Sequence, residues 1–93
     1  MTKQDVQKRV LRGTQVLSLD LFTWDMSTRT FESDIPNLTI DFSGLVGNTF
    51  VVKNNCNIKS GNFSTFITGN GCRIESGAES LYLCGPYSVI RKG

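Results

Sequence analysis

Cys56-Asn57-Ile58-Lys59-Ser60-Gly61 and Cys72-Arg73-Ile74-Glu75-Ser76-Gly77 superpose at an offset of 16 residues, and the reading of this pair decides the fold. Extending the offset lays Val89-Ile90 on Arg73-Ile74 and Gly93 on Gly77. Half the offset works as well. At intervals of eight the chain reads Phe42, Phe50, Ile58, Phe66, Ile74, Tyr82, Ile90, a column of large apolar residues. A glycine column runs Gly61, Gly69, Gly77, Gly85, Gly93, and a small-residue column runs Cys56, Ser64, Cys72, Ser80, Ser88. An internal repeat of this kind marks an array of identical supersecondary units.

An octad accommodates a strand of about five residues and a turn of about three, the strand extending some 17 Å. Alternation along Cys56–Ser60 points Cys56, Ile58 and Ser60 to one side and Asn57 and Lys59 to the other, so each unit offers a small–large–small set to the interior. Glycine in each unit supplies either positive φ or room for a close backbone approach at the corner. Two architectures use such a unit, an antiparallel meander and a parallel solenoid with two strands per 16-residue coil. Asn70-Gly71 is a hairpin signal and speaks for the meander. The outward residues speak for the solenoid. Alternate octads carry Asn57/Lys59, Arg73/Glu75 and Val89/Arg91, mostly polar, while the others carry Thr49/Val51, Thr65/Ile67 and Leu81/Leu83, mostly apolar. Two opposite walls, one polar and one apolar, are what a two-walled coil produces. The sequence therefore reads as mainly β, a short parallel β-helix with 16 residues per coil. Stacking would place Phe50, Phe66 and Tyr82 in one interior ladder, Phe42, Ile58, Ile74 and Ile90 in the facing one, and Cys56 beside Cys72.

Outside the octads the chain reads differently. Residues 1–16 are read as an N-terminal amphipathic helix: Thr2 and Asp5 have capping-box spacing, Val6, Val10 and Leu11 form its apolar side, and Gly13 stops it. Residues 17–93 are the solenoid domain. In residues 17–26, Leu17, Leu19 and Leu21 and then Phe22, Trp24 and Met26 alternate with polar residues, strand-like with a register change at Leu21-Phe22. Segment 18–35 is read as an irregular hairpin capping the first coil, and Pro36-Asn37 as the break before Leu38–Phe42.

At Gly69-Asn70-Gly71-Cys72-Arg73-Ile74-Glu75-Ser76 the chain resembles the Gly-x-x-Cys-x-Phe-x-Thr octapeptide-repeat proteins of phages and bacteria, over about residues 56–93. Serine replaces cysteine at Ser64, Ser80 and Ser88, so the copy is degenerate. The resemblance implies a β-solenoid and a viral or mobile-element source, and transfers no catalytic residue.

Composition narrows the function. Ninety-three residues hold one small domain with a thin core. A net charge of +2 gives little bulk attraction for nucleic acid. The charge is segregated instead: +3 over residues 1–16, −4 over 17–48 and +3 over 49–93. No apolar run approaches the roughly 20 residues of a membrane span, and no signal peptide is read at the start. Three cysteines, an odd number, are read as reduced thiols in a cytoplasmic setting, or in a virion if the chain is phage-derived. Without histidine or a C-x-x-C pair neither a zinc site nor a histidine-activated nucleophile is expected, and the same holds for cofactors. The carboxylates form no recognisable pair, so no enzyme is expected. The expectation is a non-catalytic structural or protein-interaction module that self-associates through the apolar wall of Thr49, Val51, Thr65, Ile67, Leu81 and Leu83. The N-terminal helix is the competing cover for that wall. The alternative is a carbohydrate-binding module using Phe63 and Tyr87, exposed aromatics expected at opposite turns.

Overall fold

The structure, a computed structural model, describes residues 1–92. It is a parallel β-solenoid of about four coils of roughly 16 residues, running from residue 30 to 92 behind a short helix and an antiparallel start. Helix α1 spans Lys3–Gln7, and a hairpin of β1 (Val10–Arg12) and β2 (Gln15–Val16) follows. After a 3-10 turn at Leu19–Leu21 come β3 (Thr23–Asp25), β4 (Thr30–Glu32), β5 (Leu38–Phe42), β6 (Thr49–Val51) and β7 (Asn57–Ser60). The last strands are β8 (Thr65–Thr68), β9 (Arg73–Ser76), β10 (Leu81–Cys84) and β11 (Val89–Lys92). Sheet A is ordered β11-β9-β7-β5-β1-β2 and sheet B β10-β8-β6-β4-β3. All pairs from β4 and β5 onward are parallel, while β1–β2, β1–β5 and β3–β4 are antiparallel.

The octad columns become ladders. In sheet B, Phe31, Phe50, Phe66 and Tyr82 stand in register, with Phe50 and Phe66 stacked at 5.2 Å and Phe66 and Tyr82 at 5.4 Å between ring centroids. In sheet A the facing ladder is Ile40, Ile58, Ile74, Ile90. Phe42, assigned to that ladder from the spacing, lies in register with Ser60 instead. The turn between β5 and β6 is longer than later ones and shifts the frame by two residues. Phe42 still points inward and meets Phe50 edge-on at 5.1 Å.

The corners resolve the role of glycine. Positive φ recurs every eight residues at Gly47, Asn55, Phe63, Gly71, Glu79 and Tyr87, mostly residues other than glycine. The column Gly61, Gly69, Gly77, Gly85 serves close approach. A Cβ on Gly69 would collide with Asn54 Oδ1 and one on Gly77 with Asn62 Oδ1. Those carboxamides carry a relay between coils: the Asn70 and Ala78 backbone N–H groups donate to Asn54 and Asn62 Oδ1, each at 2.9 Å. Asn70-Gly71 turns the chain from β8 in sheet B to β9 in sheet A, so its hairpin signal joins strands that do not pair.

The beginning departs from the sequence reading. Thr2 caps α1 and Asp5 reciprocates, as the capping box requires. The helix nevertheless ends after five residues, and Val10–Val16 forms a hairpin turning at Gly13, where φ is +65°. A helix of 16 residues would leave the upper edge of β5 open; β1 pairs with it through Val10–Ile40 and Leu11–Thr39. Leu17–Leu21, read as a strand, is instead a bend whose 3-10 turn is capped by the Ser18 side chain. The hairpin expected over 18–35 is present as β3–β4. These pieces cover the core, with Val6, Val10, Leu17 and Phe22 buried and Phe22 stacked 5.3 Å from Phe31.

Candidate interaction surface

The six wall residues come together. Thr49, Thr65 and Leu81 form one outward row on sheet B, and Val51, Ile67 and Leu83 the next. Strand alternation puts both rows on the face opposite the phenylalanine ladder. Exposure is graded along the solenoid: Thr49, Val51 and Thr65 are half-buried, Ile67 is exposed, and Leu81 and Leu83 are 69% and 70% exposed. The same rows begin with Thr30 and Glu32 at the other end, so the wall runs from polar to leucine-rich.

The N-terminal helix, the competing cover for this wall, lies elsewhere. Helix α1 packs on β1, β3 and the 3-10 turn, at the start of the solenoid, where Trp24 Nε1 also donates to the Met1 carbonyl at 2.9 Å. Val6 and Val10 are buried there, at the far end from Leu81 and Leu83, and Leu11 stays partly exposed. The apolar side of the segment closes the core rather than the wall.

The opposite wall is polar and ordered by charge. Asp41, Lys59, Glu75 and Arg91 occupy one row of sheet A in alternating sign. Arg91 lies 3.9 Å from Glu75, and the Arg9 guanidinium donates to the Asp41 carbonyl oxygen at 3.1 Å. Asp41 is held below the ordinary carboxylate range, first by the Ser43 hydroxyl and backbone N–H, then by Lys59 and Arg9. A shallow groove of about 570 Å³ crosses this wall between Asn57, Lys59, Arg73 and Arg91. The Arg91–Glu75 pair is exposed and adds little stability. Sequence spacing marked this wall only as polar; the alternation needed the strand register.

Chemistry-bearing groups are scattered. Cys56 and Cys72 are buried side by side as free thiols, and burial pushes the Cys56 thiol up; Cys84 is half-buried. Among the described residues no group of three acidic, cysteine or histidine side chains could hold a metal ion. Among the same residues no helix is long and apolar enough to cross a membrane. Phe63 and Tyr87 are exposed, but in turns on opposite flanks, one leading from sheet A to B and the other from B to A. Among the described residues the last coil is open, and its final strand carries the charged Arg91 and Lys92 that the sequence reading set there to guard the edge. Tyr82 and Ile90, whose counterparts Phe66 and Ile74 are buried, reach the surface there, and Val89 is exposed beside them.

No protein-family model matches this chain, and no curated protein or solved structure matches it either.

Proposed function

We propose that the protein is a non-catalytic structural or interaction module that self-associates through the leucine-rich part of the sheet B wall. The observation that carries this reading is the exposure of Leu81 and Leu83 on a wall held by continuous parallel pairing. Exposed apolar patches of this sort mark interaction sites. Burying one leucine side chain is worth about 1.5–3 kcal/mol, and Leu81 and Leu83 supply two from each copy. The octad motif supports a phage or mobile-element source, and the three free thiols suit a reducing, cytoplasmic setting.

Size-exclusion chromatography with light scattering at two protein concentrations tests the reading. The expected result is a mass above that of one chain for the native protein, and a monomer or an aggregate for Leu83→Asp. A native monomer at both concentrations, or an unchanged soluble assembly of the variant, overturns it.

A further inference from the structure

Asn70-Gly71, the dipeptide with the hairpin signal, sits at the corner between β8 and β9, and the asparagine relay is interrupted there. Asn54 Oδ1 accepts from the Asn70 N–H and Asn62 Oδ1 from the Ala78 N–H, each at 2.9 Å. Asn70 holds its carboxamide in the same pose, since a Cβ on Gly85 would collide with its Oδ1 as one on Gly77 would with Asn62 Oδ1. The residue that should donate to it, one coil on, is Pro86, which has no N–H. The Asn70 carboxamide therefore lacks the donor its counterparts have, and Asn70 is exposed to water.

Asn70 is also the one asparagine of the chain that precedes a glycine. Asn54 precedes Asn55 and Asn62 precedes Phe63, whose side chains crowd the backbone nitrogen that follows; Gly71 has no side chain to do so. We propose that Asn70 is a self-modification site, at which the Gly71 backbone nitrogen converts the asparagine to aspartate and isoaspartate. The inference is independent of the self-association reading.

The reaction needs only water and hydroxide. Hydroxide takes the Gly71 N–H proton, the nitrogen attacks Asn70 Cγ, and a new C–N bond closes a succinimide ring. The carboxamide nitrogen gains a proton from water and leaves as ammonia. Water then opens the ring at either carbonyl, breaking one ring C–N bond, to give aspartate or isoaspartate. The balance is a water consumed, an ammonia released and a negative charge gained, with nothing oxidised or reduced.

Comparison of two corners isolates what favours Asn70. The attacking nitrogen is restrained alike in both, because the Gly71 N–H donates to the Pro86 carbonyl and the Phe63 N–H to the Ala78 carbonyl, each at 3.0 Å. The carboxamides differ. That of Asn62 is held toward the next coil and must give up the Ala78 N–H before its Cγ can turn to the following nitrogen. Asn70 has no such bond to break, a difference worth a factor of about five for one ordinary hydrogen bond. The isoaspartyl product routes the main chain through the side chain. It turns the Asn70 carbonyl, which accepts from the Asn55 N–H at 2.9 Å, into a free carboxylate off the main chain and loosens the corner between two coils.

Peptide mapping by mass spectrometry tests the proposal on the full chain, kept at mildly alkaline pH either folded or in urea. Cleavage after Lys59 and Arg73 releases a single peptide holding both Asn62 and Asn70, so fragmentation compares them directly. The expected result is conversion at Asn70 in the folded protein, as a mixture of aspartate and isoaspartate, with Asn62 unchanged. Pro86→Ala restores the missing N–H and slows conversion at Asn70 about fivefold in the folded protein, the factor one hydrogen bond supplies, with no effect in urea. Pro86→Ser restores the same N–H and repeats the comparison should the alanine variant fail to fold. Conversion confined to the urea-unfolded chain, or no faster at Asn70 than at Asn62, overturns the proposal. A folded rate unchanged by the Pro86 substitution, or one slowed equally in urea, overturns the part assigned to the missing donor.

Discussion

Replacing Gly69 with alanine tests whether the glycine column provides close approach or conformational freedom. Gly69 has no positive φ, so alanine meets no backbone penalty and gains about 0.4–1 kcal/mol from a stiffer unfolded chain. Against this, the new Cβ strikes Asn54 Oδ1, the acceptor for the Asn70 N–H at 2.9 Å. Displacing that carboxamide forfeits a hydrogen bond worth about 1 kcal/mol, and overpacking adds about 1–3 kcal/mol. The sum is a loss of about 2 kcal/mol for Gly69→Ala, a fall in Tm of about 8–16 °C for a domain of this size. Asn54→Ala alone removes the hydrogen bond and costs about 1 kcal/mol. In the double variant the obstructing carboxamide is gone and the alanine methyl group meets the Asn54 backbone nitrogen at a tight 3.1 Å, so stability returns most of the way to that of Asn54→Ala. Urea unfolding of the four proteins measures the coupling, expected at about 2 kcal/mol, well above the few tenths found for independent sites. Additive losses would refute the close-approach account, because a glycine needed for its φ gains nothing from removal of a neighbouring side chain.

Two further outcomes follow from the ladders and the charged row. Phe66→Ala empties a fully buried site stacked between Phe50 and Tyr82 and should cost about 3–5 kcal/mol in urea unfolding; a loss no larger than that of Tyr82→Ala, at the half-exposed end of the stack, would contradict this. Asp41 has a folded pKa below its usual 3.8, so its stabilisation is present above about pH 4 and is lost as pH falls through the lowered folded value. Asp41→Asn should therefore flatten the acid limb of stability below pH 4, read from urea midpoints across pH, and an unchanged limb would show that the Ser43 and Lys59 contacts do not act this way.

Much of the fold was legible because a solenoid repeats one local decision. Each octad sets the same inward triplet, as in Cys56-Ile58-Ser60, so sixteen-residue spacing alone placed Ile58 over Ile74 and Phe50 over Phe66. Segregation of polar and apolar outward residues identified the two walls, and the six wall residues do share one face. Legibility failed where the repeat is broken. The lengthened β5–β6 turn moved Phe42 out of the isoleucine ladder, and nothing in an eight-residue count reports a two-residue insertion. It failed again in residues 1–22, whose apolar spacing suits helix or strand equally and is decided by the open edge of β5.

The sequence by itself determined the repeating unit, the number of residues per coil and which side chains face inward, because these depend on alternation and spacing along the chain. Tertiary structure alone decided what lies at the two ends. It drew β1 onto β5 and α1 over the core at one end, since free N–H and C=O groups and uncovered phenylalanine there must find partners. At the other end, among the described residues, Leu81, Leu83 and Ile90 are exposed on strands that pair on one side. Which edge is covered and which is open depends on neighbours in space, and no period in the sequence encodes that.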